Sequence, residues 1–138
     1  MRVLAIDYGD ARTGIAISDA SGSIVGRTTV IHSRRPQQTA EAIAALVQES
    51  GAERLVMGFP RNMDGTEGFR AERTRRFAAL VAEKTGAEVV FVDERLSTVE
   101  AYTYMNITGL PGTKRKGKID ALSAQIILQS YLDAKKNG

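Results

Sequence analysis

Cysteine is absent and histidine occurs once, at His32. No disulfide, thiolate zinc site or cysteine nucleophile is therefore open to the chain. A metal site built on several imidazoles is excluded, and a Ser-His-Asp triad has His32 as its one candidate base. Tryptophan is also absent and aromatic residues are only 6% of the chain. No aromatic pair is spaced as a base-stacking platform along a strand. No apolar run approaches the ~18 residues of a membrane span. The opening Met1-Arg2-Val3-Leu4-Ala5-Ile6-Asp7 sets a carboxylate where a secretory signal needs its apolar stretch. The expected compartment is the cytoplasm, with no membrane partner.

What is present is ordinary for a folded domain. Of 138 residues, 43% are hydrophobic and 25% charged. Against ~150 residues per domain this length gives one domain over residues 1–138, with enough chain for a real core. Lysine plus arginine exceeds aspartate plus glutamate by 19 to 16, a net charge of +3. The positive charge is grouped. Lys114, Arg115, Lys116 and Lys118 form one cluster, and Arg70, Arg73, Arg75 and Arg76 form a second, opposed by Glu72. Either cluster alone is an ordinary solvated face. Together they point to a polyanionic partner.

The apolar pattern predicts strands at Val3–Ile6, Ile15–Ser18, Ile24–Ile31, Leu55–Met57 and Val89–Val92. Gly9 to Gly14 reads as a turn. Helices are expected between Pro36 and Gly51, up to Gly86, from the capping box Ser97-Thr98-Val99-Glu100, and from Ile119 to the end. Thr108 to Lys118 reads as a glycine-rich basic loop. The first three strands suit an antiparallel meander. The last two each follow a helix, so they should run parallel to a neighbour. The expected class is α/β, a mixed five-stranded sheet flanked by helices.

Three carboxylates fall at element ends. Asp7 follows the first strand, Asp93-Glu94 follow the last, and Asp120 stands in the expected first turn of the final helix. In open α/β sheets, ligands bind outside the carboxyl ends of the strands. Carboxylates gathered there repel one another and call for a divalent cation. An oxygen-only donor set with no cysteine suits Mg²⁺ or Mn²⁺. Two such ions about 4 Å apart activate a water and stabilise the leaving oxygen in phosphodiester hydrolysis. Each acid also has an ordinary role, in a turn or at a helix start, and spacing alone does not bring the three together.

Gly112-Thr113-Lys114-Arg115-Lys116-Gly117-Lys118 matches the first part of a nucleotide P-loop. Ile119 stands where serine or threonine must reach Mg²⁺, and the segment follows a helix, so that reading is rejected. His32, at a strand end, is read as a surface or structural histidine. Tyr8 is read as core or rim packing.

The stretch Asp7-Tyr8-Gly9-Asp10-Ala11-Arg12-Thr13-Gly14-Ile15-Ala16-Ile17-Ser18-Asp19 resembles the opening motif of the YqgF family, also called RuvX. Gly58-Phe59-Pro60-Arg61-Asn62-Met63-Asp64-Gly65-Thr66-Glu67-Gly68 resembles its second motif, and Asp93-Glu94-Arg95-Leu96-Ser97-Thr98 its third. Lys114-Arg115-Lys116 with Ile119-Asp120-Ala121-Leu122-Ser123-Ala124 and Ile127-Leu128-Gln129-Ser130-Tyr131-Leu132 resembles its C-terminal motif. The four motifs stand in order across essentially the whole chain.

The resemblance implies an RNase H-like fold and a Mg²⁺-dependent (or Mn²⁺-dependent) nuclease site with Asp7, Glu94 and Asp120 as metal-holding catalytic acids. It implies trimming of the 5′ end of precursor 16S rRNA in ribosome biogenesis. Arg12, Arg61, Asn62, Lys114, Arg115, Lys116 and Lys118 are the expected nucleic-acid contacts. The sequence departs from the family pattern at Ala11 and Thr13, where a basic and an aliphatic residue are usual. It departs also at Arg61, usually apolar, and at Ser97, usually threonine. These departures bear on affinity and substrate preference rather than on the three acids.

Two rival functions use the same residues: a Holliday junction resolvase-type DNA endonuclease, and a non-catalytic RNA-binding factor in ribosome assembly. Half of an actin-like ATPase is a weaker third, since such enzymes close two domains around the nucleotide. RNA or DNA, one ion or two, and monomer or homodimer stay open at the level of sequence.

Overall fold

The computed structural model describes residues 1–60, 68–93 and 112–137, the last stretch with side chains over 121–135. The strands are β1 (Val3–Asp7), β2 (Arg12–Ser18), β3 (Val25–His32), β4 (Arg54–Phe59) and β5 (Val89–Asp93). The helices are α1 (Pro36–Ser50), α2 (Phe69–Thr85) and α3 (Gly112–Asn137). The strands form one sheet in the order β3-β2-β1-β4-β5. β1, β2 and β3 pair antiparallel, while β4 runs parallel to β1 and β5 parallel to β4. The meander and both parallel crossovers follow the expected order.

β1 occupies the centre because it is apolar on both faces. Leu4 and Ile6 join Ile15, Ile17, Leu55 and Met57 beneath α1 and α2, which contribute Ala40, Ile43, Phe77, Ala78 and Val81. Val3 and Ala5 join Ala16 and Val56 on the other face, under Ala124, Ile127, Leu128 and Leu132 of α3. Adjacent residues of a strand face opposite ways, so this partition fixes the side chosen by each residue at the strand ends.

The helix boundaries have local causes. α1 begins on Pro36, whose missing N–H costs nothing at a helix start. It ends at Gly51, which takes the left-handed conformation (φ 73°) and donates its N–H to the Val47 carbonyl at 2.9 Å. Gly86 closes α2 in the same way. α3 crosses β1, β2, β3 and β4. Its direction is set by Arg54, whose Nη1 donates to the Tyr131 hydroxyl at 2.8 Å. Arg54 is the register partner of Val3. The Tyr131 turn of α3 therefore lies near the amino ends of β1 and β4.

Most strand ends fall within two residues of the sequence reading, and two boundaries differ by more. β2 begins at Arg12, not Ile15, so the first turn is shorter than Gly9–Gly14; Gly14 pairs with Asp7 and Arg12 with His32. The polar and glycine positions 12–14 hide the strand, which register rather than hydropathy defines. Gly112 to Lys118 is helical rather than loop. Lysine and arginine are good helix formers, and the two glycines do not outweigh them in a helix held by its apolar stripe. Asp120 thus stands in the third turn of α3, and the dipole at a helix start does not act on it. The expected helix at Ser97 lies outside the described residues.

Candidate active site

The parallel arrangement of β1, β4 and β5 brings Asp7, Phe59 and Asp93 to one carboxyl edge. Phe59 and Asp93 are register partners there. Asp7, partnered by Gly14 on β2, ends β1. The two acids do not share a face. Asp7 continues the Val3 and Ala5 series and lies on the α3 side. Asp93 continues the series of Val89, which packs on the α1/α2 cluster, and lines a cleft with Phe59, Phe91 and Arg75 on that side. Asp93 is therefore turned away from Asp7. Arg12 alternates with Gly14 and Ala16 onto the α3 side, so it shares the face and edge of Asp7.

Asp120 lies four residues before Ala124 on α3. Glu94, Arg61 and Asn62 lie outside the described residues. Lys114, Arg115, Lys116 and Lys118 fall in the first two turns of α3. Among the described residues no three His, Asp or Glu side chains converge as a metal site. His32 is exposed at the end of β3, in register with Arg12, and among the described residues it joins no acid cluster.

The turn after Asp7 is fastened to α2. Tyr8 stacks on Phe77, and the Arg73 guanidinium lies 5.4 Å from the Tyr8 ring centre while pairing with Asp10. Tyr8 is thus rim packing, as expected. Its phenol is pushed above the ordinary value by burial, against the lowering effect of Arg73. Gly9 is required by close approach: a Cβ there would collide with the Arg12 carbonyl oxygen.

The sequence reading missed the aromatic pair at this edge. Phe59 and Phe91 meet edge to face at 5.0 Å, and the Arg75 guanidinium lies 4.8 Å from the Phe59 ring centre. No spacing along one strand announces this pair, because it comes from neighbouring parallel strands. The grouping of arginines at 70–76 was its one visible signal.

The RuvX family profile, described as Holliday junction resolvase, matches residues 1–134. The chain belongs to the RuvX family. A relative from Acetivibrio thermocellus, named "Putative pre-16S rRNA nuclease", is 44% identical over 137 residues, covering 98% of this chain and 97% of its own. One of the same name from Halothermothrix orenii is 42% identical over 133 residues, covering 96% and 95%. Among solved structures, T. thermophilus RuvC in complex with Holliday junction substrate superimposes with a TM-score of 0.64 at 14% identity, covering 99% of this chain and 96% of that one. At that identity the likeness shows the fold, which is the RNase H-like arrangement expected of a RuvX protein.

Proposed function

We propose that this RuvX protein is a divalent-metal-dependent endonuclease that processes the 5′ end of precursor 16S rRNA. The observation that carries the reading is the position of Asp7. It stands at the carboxyl end of the central strand, on the face crossed by α3, with Arg12 on the same face and edge. The naming of the relatives as pre-16S rRNA nucleases supports the substrate.

The donor chemistry fits a hard cation. Asp7 offers carboxylate oxygens in a chain with no cysteine and a single histidine, which suits Mg²⁺ or Mn²⁺. Asp7, Glu94 and Asp120 would hold it, and when bound it would polarise the phosphate and activate a water for attack on phosphorus. Arg12 and the basic first turns of α3 (Lys114, Arg115, Lys116 and Lys118) orient the backbone phosphates, with Arg61 and Asn62 as further contacts. The Tyr8–Phe77 stack fastens the turn that follows Asp7.

The test is cleavage of an end-labelled precursor of the small-subunit rRNA, beside an immobile four-way DNA junction, with Mg²⁺ or EDTA. Metal-dependent cut RNA that disappears in Asp7→Asn supports the proposal. Cutting of the junction alone supports the resolvase reading, which the description of the family favours. Binding without cutting of either transfers the function to a non-catalytic assembly factor.

A further inference from the structure

On the side of the sheet away from Asp7, the same edge carries a cleft of about 140 Å³ lined by Phe59, Arg75, Phe91 and Asp93. Its floor is Phe59, 5% exposed, and one wall is Phe91, 40% exposed. A large ring left this open on an edge strand forgoes the burial that normally places phenylalanine inside. The two rings meet edge to face, and the Phe91 ring still keeps a large part of its surface open. Arg75 spreads its guanidinium over Phe59 and supplies a planar cation at the mouth. Asp93 supplies a carboxylate on the same face, in register with Phe59.

We propose that this cleft is a subsite for an unpaired nucleobase of a single-stranded segment of the substrate. An open aromatic face, an arginine plane and a carboxylate acceptor are the three elements that bind an unstacked base: two by stacking and one by accepting from its amino or imino edge. A base inside a duplex cannot enter, since its faces and its pairing edge are already used. The inference rests on the nucleic-acid reading of the Asp7 edge, and deepens it from nucleic acid in general to a strand with at least one unpaired base. It uses the opposite face of the sheet from the acids, so the two can fail separately.

The test is binding, by fluorescence anisotropy in EDTA, of a short single-stranded RNA, the DNA of the same sequence, and the fully paired RNA duplex. A 2-aminopurine placed in the strand reports stacking through quenching of its emission. Wild type should prefer both single strands over the duplex and quench the probe. Phe91→Ala should weaken single-strand binding about tenfold and abolish the quenching, with duplex binding unchanged. Phe91→Leu keeps an apolar side chain on the strand and should show the same loss, with an unchanged circular dichroism spectrum and melting temperature. RNA and DNA strands responding alike assigns recognition to the base; RNA alone responding adds a sugar contact to it. Equal effects on strand and duplex, no quenching by wild type, or full binding by Phe91→Leu overturns the subsite. Loss of cleavage in Asp7→Asn with no effect of Phe91 would leave the nuclease standing and the subsite refuted. Phe91-dependent strand binding without any cleavage would do the reverse.

Discussion

Tyr8 lies flat on Phe77, with ring centres 3.8 Å apart and planes 5° from parallel. The contact joins the turn after the central strand to the buried face of α2, and Tyr8 is the residue next to Asp7. Arg73 reinforces it by reaching from α2 over the Tyr8 ring to Asp10. The exposed Arg73–Asp10 pair is worth at most about 1 kcal/mol, so the stack is the stronger fastening. Phe77→Leu keeps most of the volume of a buried site but loses the ring contact. It is expected to lower stability by about 1–2 kcal/mol and to slow cleavage more than it weakens binding. Urea unfolding and a comparison of kcat with KM check the two parts; a change confined to KM would refute the positioning role.

Much of this arrangement is legible in the sequence, and the parts that are not have a common cause. Val3-Leu4-Ala5-Ile6 announces a strand buried on both sides, and the order of helices forces β4 and β5 to run parallel to it. The edge location of Asp7 follows directly. The face of each acid does not: Asp93 turns away from Asp7 because of the alternation within β5, which becomes readable only once register is known. The Phe59–Phe91 pair was invisible for the same reason. The length of α3 was misread because Gly112 and Gly117 look like loop residues, whereas the helix is held by Ala124, Ile127, Leu128 and Leu132 further along. Local propensity gave way there to tertiary packing.

Asp7→Asn removes a charge at a half-exposed strand end without changing shape. The fold is expected to persist, as read by circular dichroism, and metal-dependent cleavage to fall by about a thousandfold or more. Nucleic-acid binding should be retained or strengthened, because one negative charge leaves the phosphate site. Cleavage within tenfold of wild type would remove Asp7 from the catalytic set.

The turn joining β2 to β3 is built on Asp19. Its carboxylate accepts from the Ser21 hydroxyl and from the backbone N–H groups of Ser23, at 2.8 Å, and Ile24, at 3.1 Å. These bonds, the Ser21 hydroxyl foremost, hold its pKa well below the usual carboxylate range. A lowered folded-state value means that the stabilisation is present above the ordinary carboxylate pKa and is lost as pH falls through the folded one. Wild type is therefore expected to lose stability between about pH 5 and about pH 2 by a component missing from Asp19→Asn. Urea midpoints across that range check it, and parallel curves for the two proteins would refute it.

Thr13 is fully buried on the α1/α2 side of β2, and its hydroxyl has no hydrogen-bond partner among the described residues. It alternates with Ile15 and Ile17, so its surroundings are the apolar cluster that contains both. An unmet hydroxyl in such a place costs about 1–3 kcal/mol. Valine has nearly the same shape and carries a methyl group in place of the oxygen. Thr13→Val is expected to raise stability by about 1–2 kcal/mol, seen as a higher urea midpoint at unchanged slope. The gain should come without loss of cleavage, because the side chain faces away from Asp7 and Arg12. The departure from an aliphatic residue at this position is then a cost in stability alone. A lower midpoint for Thr13→Val would mean that the hydroxyl has a partner, and would place Thr13 within the hydrogen bonding of the turn beside Asp7.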